Sequence, residues 1–380
     1  MAQIDVLMSV YNCEKYIAET LASIQAQTFR DIRIIVIDDG STDRTGDIVR
    51  EVANKDARIE YHRQENAGIV AALNAGLPFC DAELIARHDG DDISYPDRFE
   101  KELAYLKTHP DCVAVSGLAR HIDSNSHTLN HVTKAKDLSK ADPFSIPANE
   151  PYIMQPLLMV RRETLGKAGG YRYLSVAEDT DLYWRLSDAG QLHIIPDIMG
   201  DYRIHSGSIS SGDIVSGRQQ AVWSQLAALS EQRRRKDEPD ISFSRDSFEA
   251  IRSCSDLDET ISAAHELIDK NEYKWFDCAV AAKILEICYY RPYEPEKADI
   301  DIINTYEKLY PSISEYKGYD IFVSGKMSCA IRLIGDGRVL DALSLIGWLN
   351  MPVAVARASF RYLIPENYRK LIKRFVKKIL

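Results

Sequence analysis

The stretch Ile34-Ile35-Val36-Ile37-Asp38-Asp39-Gly40-Ser41 decides the fold class. Its four consecutive β-branched aliphatics do not alternate with polar residues, so the strand they form is covered on both faces. The run stops at two aspartates, a glycine and a serine, which is turn chemistry. Upstream, Ile4–Val10 is a similar run that stops at Tyr11-Asn12. Downstream, Leu84-Ile85-Ala86 stops at Arg87-His88-Asp89-Gly90-Asp91-Asp92. Helical patterns separate these runs: Glu14–Gln27, with Tyr16, Ile17, Leu21 and Ile24 on one face, then Asp43–Ala53 and Val70–Leu77. A short strand at Ile59–His62, a helix over Arg98–Lys107 and a strand at Val113–Ser116 continue the alternation. The pattern predicts an open α/β domain, Rossmann-like, with a mostly parallel sheet.

From Tyr152 the pattern changes: a strand is expected over Ile153–Val160, a helix over Asp181–Ala189 and extended chain over His193–Arg203. The stretch His205–Gly217, with five serines and three glycines, reads as a flexible loop. Helical periodicity dominates afterwards, at Arg218–Arg235, Leu257–Lys270, Lys274–Tyr290, Ile302–Leu309, Met327–Leu333 and Val339–Leu349. A chain of 380 residues is long for one core. The expected division is an α/β domain over 1–212, a helical domain over 213–356 and a basic amphipathic helix over 357–380.

The net charge of −10 argues against a general nucleic-acid binder, which needs a basic face. Residues 357–380 nevertheless hold eight Lys/Arg against one acid, Glu366. Leu371, Ile372, Phe375, Val376, Ile379 and Leu380 share one helical face, and Arg369, Lys370, Lys373, Arg374, Lys377 and Lys378 the other. That is the pattern of a helix lying in a membrane interface, or of a helix packed on its domain with a solvated basic face. The seven scattered cysteines contain no C-x-x-C pair and read as reduced thiols. The N-terminus lacks signal-peptide features. The longest apolar run, Ala342–Ala356, has 15 residues interrupted by Asn350 and Pro352, short of a membrane span. The expected location is cytoplasmic, peripheral at the inner face of the cell membrane.

Chemistry concentrates in three acidic clusters. Asp38-Asp39 and Asp89-Gly90-Asp91-Asp92 both follow strands, at the carboxyl edge where open α/β sheets bind ligands. Ser9, Tyr11 and Asn12 join that edge. Asp38-Asp39-Gly40-Ser41 also reads as a capped turn, and Asp89–Asp92 as an acidic surface loop. Three carboxylates within four residues repel unless neutralised, and oxygen ligands suit Mg²⁺ or Mn²⁺, which retain positions for phosphates. A diphosphate leaving group needs that neutralisation. Neither G-x-G-x-x-G nor G-x-x-x-x-G-K-[ST] is present, which disfavours dehydrogenases and P-loop NTPases. The third cluster, Glu178-Asp179-Thr180-Asp181, reads either as the acidic first turn of a helix, with Asp181 its cap, or as the source of a general base. His205, after Tyr202-Arg203-Ile204, is a structural histidine or a metal ligand.

The ordered set resembles the inverting family 2 glycosyltransferases of the GT-A fold over residues 3–210. The resemblance rests on Ser9-Val10-Tyr11-Asn12, Val36–Asp43, Glu65-Asn66-Ala67-Gly68 with Asn74-Ala75-Gly76, and Asp89-Gly90-Asp91-Asp92 with Pro96-Asp97-Arg98. It closes with Gly169-Gly170-Tyr171, Glu178-Asp179-x-Asp181 and Tyr202-Arg203-x-His205. It implies a UDP-type nucleotide-sugar donor, with Asp39 on the base, Asp38 beside it, and Ser9 and Tyr11 lining that pocket. It implies Asp89 and Asp91 as the D-x-D element, Asp91 on Mn²⁺ or Mg²⁺ and Asp89 near ribose or metal, with His205 near both metal and diphosphate. Asp179 becomes the catalytic base, with Glu178 beside the acceptor, a saccharide that many bacterial relatives carry on lipid for surface polysaccharide. His88 departs from the family's usual apolar residue. A nucleotidyltransferase, or a non-catalytic membrane-docking protein, are the competing readings. The first lacks its glycine-rich basic loop, and the second leaves Asp89, Asp91 and Asp179 unexplained.

Overall fold

The computed structural model describes residues 2–205, 207, 214–290 and 293–363. Its strands are β1 (Ile4–Val10), β2 (Ile32–Asp38), β3 (Ile59–Arg63), β4 (Leu84–Asp89), β5 (Ile93–Ser94), β6 (Cys112–Ile122), β7 (Thr128–Val132), β8 (Met159–Arg161) and β9 (Gln191–Arg203). They form one sheet in the order β3-β2-β1-β4-β8-β6-β9-β5, with β7 paired to β6. The block β3-β2-β1-β4 is parallel. Beyond it β8 runs antiparallel to β4 and β6, while β9 is parallel to β6. Register brings Val10 opposite Asp38 and Ser9 opposite Asp89, so the ends of β2, β1 and β4 share one edge.

Side-chain alternation on these continuous apolar strands builds two cores. Val6, Met8, Ile34 and Val36 face α1 (Ile17–Gln25), α2 (Thr45–Ala53) and α4 (Arg98–Thr108) through Leu21, Val49 and Phe99. Leu7, Ile35 and Ile37 face the opposite way, toward α3 (Ile69–Gly76), α5 (Arg162–Lys167) and α6 (Glu178–Ala189) through Leu73, Leu165 and Leu182. Burial of both faces is what the absence of polar alternation demanded.

Several expected boundaries shift. The strand expected over 153–160 shrinks to Met159–Arg161, because Pro156 cannot donate to a ladder and sits in a tight turn at Gln155–Leu157. The strand expected over 113–116 runs to Ile122, because β7 and β9 pair with its more polar second half. The helix expected from Asp181 begins at Glu178.

The remaining helices are α7 (Ile214–Arg235), α8 (Arg245–Arg252), α9 (Leu257–His265), α10 (Tyr273–Tyr290), α11 (Lys297–Leu309), α12 (Tyr319–Gly335) and α13 (Val339–Leu363). The chain divides into two compact units: Met1–Ala141 with Glu150–Ser211 and Phe243–Arg245, and Asp142–Asn149 with Gly212–Ser242 and Asp246–Leu380. The second unit thus takes a segment from the middle of the first. Within it, Ala148 N–H donates to Gln225 Oε1 at 3.0 Å, Gln232 donates to the Pro143 carbonyl at 2.7 Å, and Ile146 N–H to the Lys317 carbonyl at 2.8 Å. A buried Arg218–Asp299 pair at 2.9 Å joins α7 to α11. The helix expected to stop at Leu349 breaks at Gly347 (φ +71°) and resumes through Pro352. Val339–Tyr362 is therefore long and apolar enough, by length and composition, to cross a membrane. Most of the basic helix expected over 357–380 lies outside the described residues, as does most of the serine- and glycine-rich loop after His205.

Candidate active site

The turn after β2 is built around its own acids. Asp38 is fully buried, its Oδ1 accepting from Ser41 N–H at 2.8 Å and its Oδ2 from the Tyr61 hydroxyl at 2.5 Å. It lies inside the turn, its side chain wholly buried and bonded to the turn itself. Asp39 Oδ1 accepts from Gln64 Nε2 at 2.7 Å and Ala67 N–H at 2.9 Å, and Oδ2 from Gly68 N–H at 2.8 Å. Asp39 thereby shapes the Glu65–Gly68 loop. Gly40 (φ +78°) permits the close approach, since a Cβ there would lie 2.8 Å from Asn66 N. Ser9 is partly buried at the end of β1, and Tyr11 beyond it is half exposed.

At the end of β4, Arg87 and Asp89 lie two residues apart and so on one face of the strand. The Arg87 guanidinium is ion-paired to Asp89 Oδ1. Asp91 Oδ2 sits 2.8 Å from His205 Nε2, and Gly207 N–H lies 3.1 Å from His205 Nδ1. Burial and the charge of Asp89 push the Asp91 carboxyl above its ordinary value. Asp92 is buried further, raised by burial and by Asp91 and Asp89. Its Oδ1 accepts from Arg203 N–H at 2.7 Å, while its buried Oδ2 has no hydrogen-bond partner among the described residues. His88 is buried, pushed down to about 3 by burial and by Arg98 and Arg87, and so stays neutral. Its Nδ1 contacts the Asp89 carbonyl at 2.7 Å.

Two residues fix this loop from outside. Thr20 Oγ1 on α1 donates to the carbonyls of Gly90 at 3.1 Å and Asp92 at 2.9 Å. Arg203, at the end of β9 and 1% exposed, donates to the Asp91 carbonyl at 2.7 Å and to Glu19 at 2.8 Å, and reaches Ser126 at 2.9 Å. Its guanidinium lies over the Tyr16 ring, 4.6 Å from the centroid, and His205 stands 5.0 Å from that ring.

The third cluster opens α6, which has no side-chain cap. Glu178 and Asp179 are partly buried. Burial and the charge of Asp179 push Glu178 up to about 8, opposed by Arg87. Burial raises Asp179 too, with Glu150 adding to it, and the Thr180 N–H at 2.6 Å acts the other way. Asp181 is not the helix cap it was expected to be. Fully buried, it accepts from Arg172 Nε at 3.0 Å and Arg185 Nε at 2.9 Å. Arg185 also donates to the Gly170 carbonyl at 2.8 Å, anchoring the chain that leads into α6. That chain docks on α3, where Asn74 donates to the Tyr171 carbonyl at 2.7 Å and accepts from Tyr171 N–H at 2.9 Å. A Cβ on Gly170 (φ +67°) would lie 2.8 Å from Asn74 Oδ1.

Residues 5–169 match the family model described as Glycosyl transferase family 2. The amylovoran biosynthesis glycosyltransferase AmsE of Erwinia amylovora is 30% identical over 212 residues, covering 54% of this chain and 77% of its own. The putative glycosyltransferase EpsE of Bacillus subtilis is 30% identical over 197 residues, 50% of this chain and 68% of its own. The chain belongs to glycosyl transferase family 2. The glycosyltransferase also shares its fold with S. aureus TarS 1-349, solved with UDP-GlcNAc, at a TM-score of 0.53 and 19% identity over 82% of this chain and 92% of that one. The sheet with its two helical faces is accordingly of GT-A type.

The metal set expected of this glycosyltransferase, Asp89, Asp91 and His205, is assembled only in part. Asp91 and His205 meet, but Asp89 is turned onto Arg87, and no group of three or more potential ligands exists among the described residues. The pair still fits a hard cation: a carboxyl raised by a neighbouring negative charge, against an imidazole, is a site short of positive charge. Sequence reading missed the roles of Arg87, Arg203 and Asn74. Strand period gives Arg87 away, two positions before Asp89, whereas the links of Arg203 to residues 19, 91 and 126 have no local signal.

Proposed function

We propose that this glycosyltransferase moves a sugar, with inversion, from a UDP-type nucleotide donor to a hydroxyl of a saccharide acceptor. The observation that carries the reading is the meeting of two acidic groups around Arg87, whose guanidinium pairs with Asp89 and lies in the field of Glu178. Donor diphosphate belongs on the Asp89–Asp91 side and acceptor on the Glu178–Asp179 side. Asp39 Oδ2 carries a single bond from Gly68, leaving a lone pair for the imide N–H of a uracil-type base beside Ser9 and Tyr11.

Asp91 and His205 would hold Mn²⁺ or Mg²⁺, with Asp89 joining them or remaining on Arg87. Held there, such an ion would supply the positive charge that a departing diphosphate requires. Asp179 takes the proton of the acceptor hydroxyl, whose oxygen attacks the anomeric carbon while the C–O bond to the nucleoside diphosphate breaks. One base and a single displacement invert the anomeric centre. Glu178, protonated near neutrality, donates a hydrogen bond to the acceptor instead of competing for its proton. The role of AmsE in amylovoran biosynthesis supports a surface-polysaccharide acceptor, and the basic stretch 357–380 supports a lipid-linked one at a membrane surface. Donor hydrolysis with Mn²⁺, with EDTA, and in Asp91→Asn tests the site. The variant and the chelated enzyme should both lose turnover with unchanged thermal unfolding. Full activity in either overturns the assignment.

A further inference from the structure

α13 combines a hydrophobic sequence with poor burial. Within Val339–Tyr362 an 18-residue window has a mean hydropathy of 1.6, yet only 28% of that window is buried. Its inward positions are Ala342, Leu345, Ala354 and Ala358. Outward it presents Leu340 at 80%, Trp348 at 79% and Leu349 at 95% exposure, with Val353 and Val355 close to half exposed. The break at Gly347 places Trp348 and Leu349 at a corner of the helix, and Trp348–Ala356 contains no ionisable side chain. An open groove lined by Pro352, Val353, Ala356, Arg357 and Phe360 continues the surface. Single exposed apolar residues are ordinary, but several within one short stretch of helix mark an interaction surface. The sequence that follows, 357–380, carries eight basic residues against one acid.

We propose that the exposed face of α13, centred on Trp348 and Leu349, docks on an anionic lipid bilayer. Charge selects the occupant. A second copy would set two strongly basic segments against each other, whereas an anionic leaflet attracts each of them. Tryptophan suits the headgroup level, and an apolar insertion beside a basic segment supplies the two signals that stable surface anchoring takes. The proposal shares the lipid surface with the tail reading above, but assigns the insertion to a different element.

The tryptophans make the test specific. Trp184 and Trp223 are fully buried and Trp275 is 8% exposed, so Trp348 dominates any response to lipid. With the full chain and phosphatidylglycerol-containing vesicles, Trp emission should shift blue and be quenched by brominated lipid, and Trp348→Phe should abolish both. Trp348→Ser/Leu349→Ser should weaken vesicle partitioning about tenfold or more with donor hydrolysis unchanged. Vesicle binding with Trp348 unquenched leaves the tail reading standing and overturns this one. Quenching that survives deletion of 364–380 supports this one and removes the tail. Carbonate-resistant association, which means a spanning helix, overturns the proposal. So does a vesicle-free dimer that Trp348→Ser dissolves.

Discussion

Two pairs of adjacent acids, Asp38-Asp39 after β2 and Glu178-Asp179 opening α6, look alike in sequence and live differently. The first pair is well supplied with donors: Ser41, Tyr61 and Arg63 on Asp38, and Gln64, Ala67 and Gly68 on Asp39, where one Oδ2 lone pair is left. On the second, Asp179 accepts from Thr180 alone among the described residues, and both carboxyls are pushed up. A carboxylate with most of its hydrogen bonds made holds the backbone in place. One buried with few donors is held at a cost to stability, which substrate or metal relieves.

Removing Asp179 should produce the largest effect in this contrast. Asp179→Asn is expected to lower kcat about 10²–10⁴-fold while calorimetry shows unchanged donor affinity. A rate within tenfold of wild type moves the base to Glu178. The reverse experiment removes a scaffold acid from the same cluster. Asp181→Ala leaves Arg172 and Arg185 buried without their carboxylate and should cost about 3–5 kcal/mol in urea unfolding. A loss near 1 kcal/mol would restore the helix-cap role. Asp38→Ala should cost less, about 1.5–3 kcal/mol, with kcat preserved in the folded fraction. A large kcat loss at full stability would return Asp38 to the nucleotide.

The smallest effect has a distinctive pH signature. The Glu178 pKa is raised from 4.5 to about 8, so the unfolded chain releases this proton first as pH rises. The residue therefore destabilises the fold progressively from pH 4.5 to about 8. Glu178→Gln removes that penalty. Its gain in stability over wild type should grow across this window and level off above about pH 8. A gain independent of pH would contradict a protonated Glu178.

Much of the site was legible because it lies where continuous apolar strands end. The runs at 4–10, 32–38 and 84–89 announce the parallel block, and their parallel register alone brings Ser9, Asp38 and Asp89 to one edge. What escaped depended on partners distant in sequence. Asp181 reads as a cap until Arg172 arrives from the preceding loop. The second half of β6 carries polar residues because Arg120 pairs with Asp201 on β9, which no window around residue 120 reveals. In α13, the glycine break separates two helical stretches, so a proline that would disrupt one long helix falls about a turn beyond a restart.

The borrowed segment 142–149 ties the two units together in time. Its buried Pro143, Ile146 and Ala148 find their partners on Gln232, Lys317 and Gln225. A ribosome adding about 5–20 residues per second reaches position 317 on the order of ten seconds or more after it has made the segment. During that interval the nascent chain carries an unsatisfied apolar loop from inside its α/β sequence, a natural place for a holding chaperone to bind. An expression clone cut after residue 211 makes the interval permanent: it keeps every acid of the site and leaves that loop without a partner for the life of the protein.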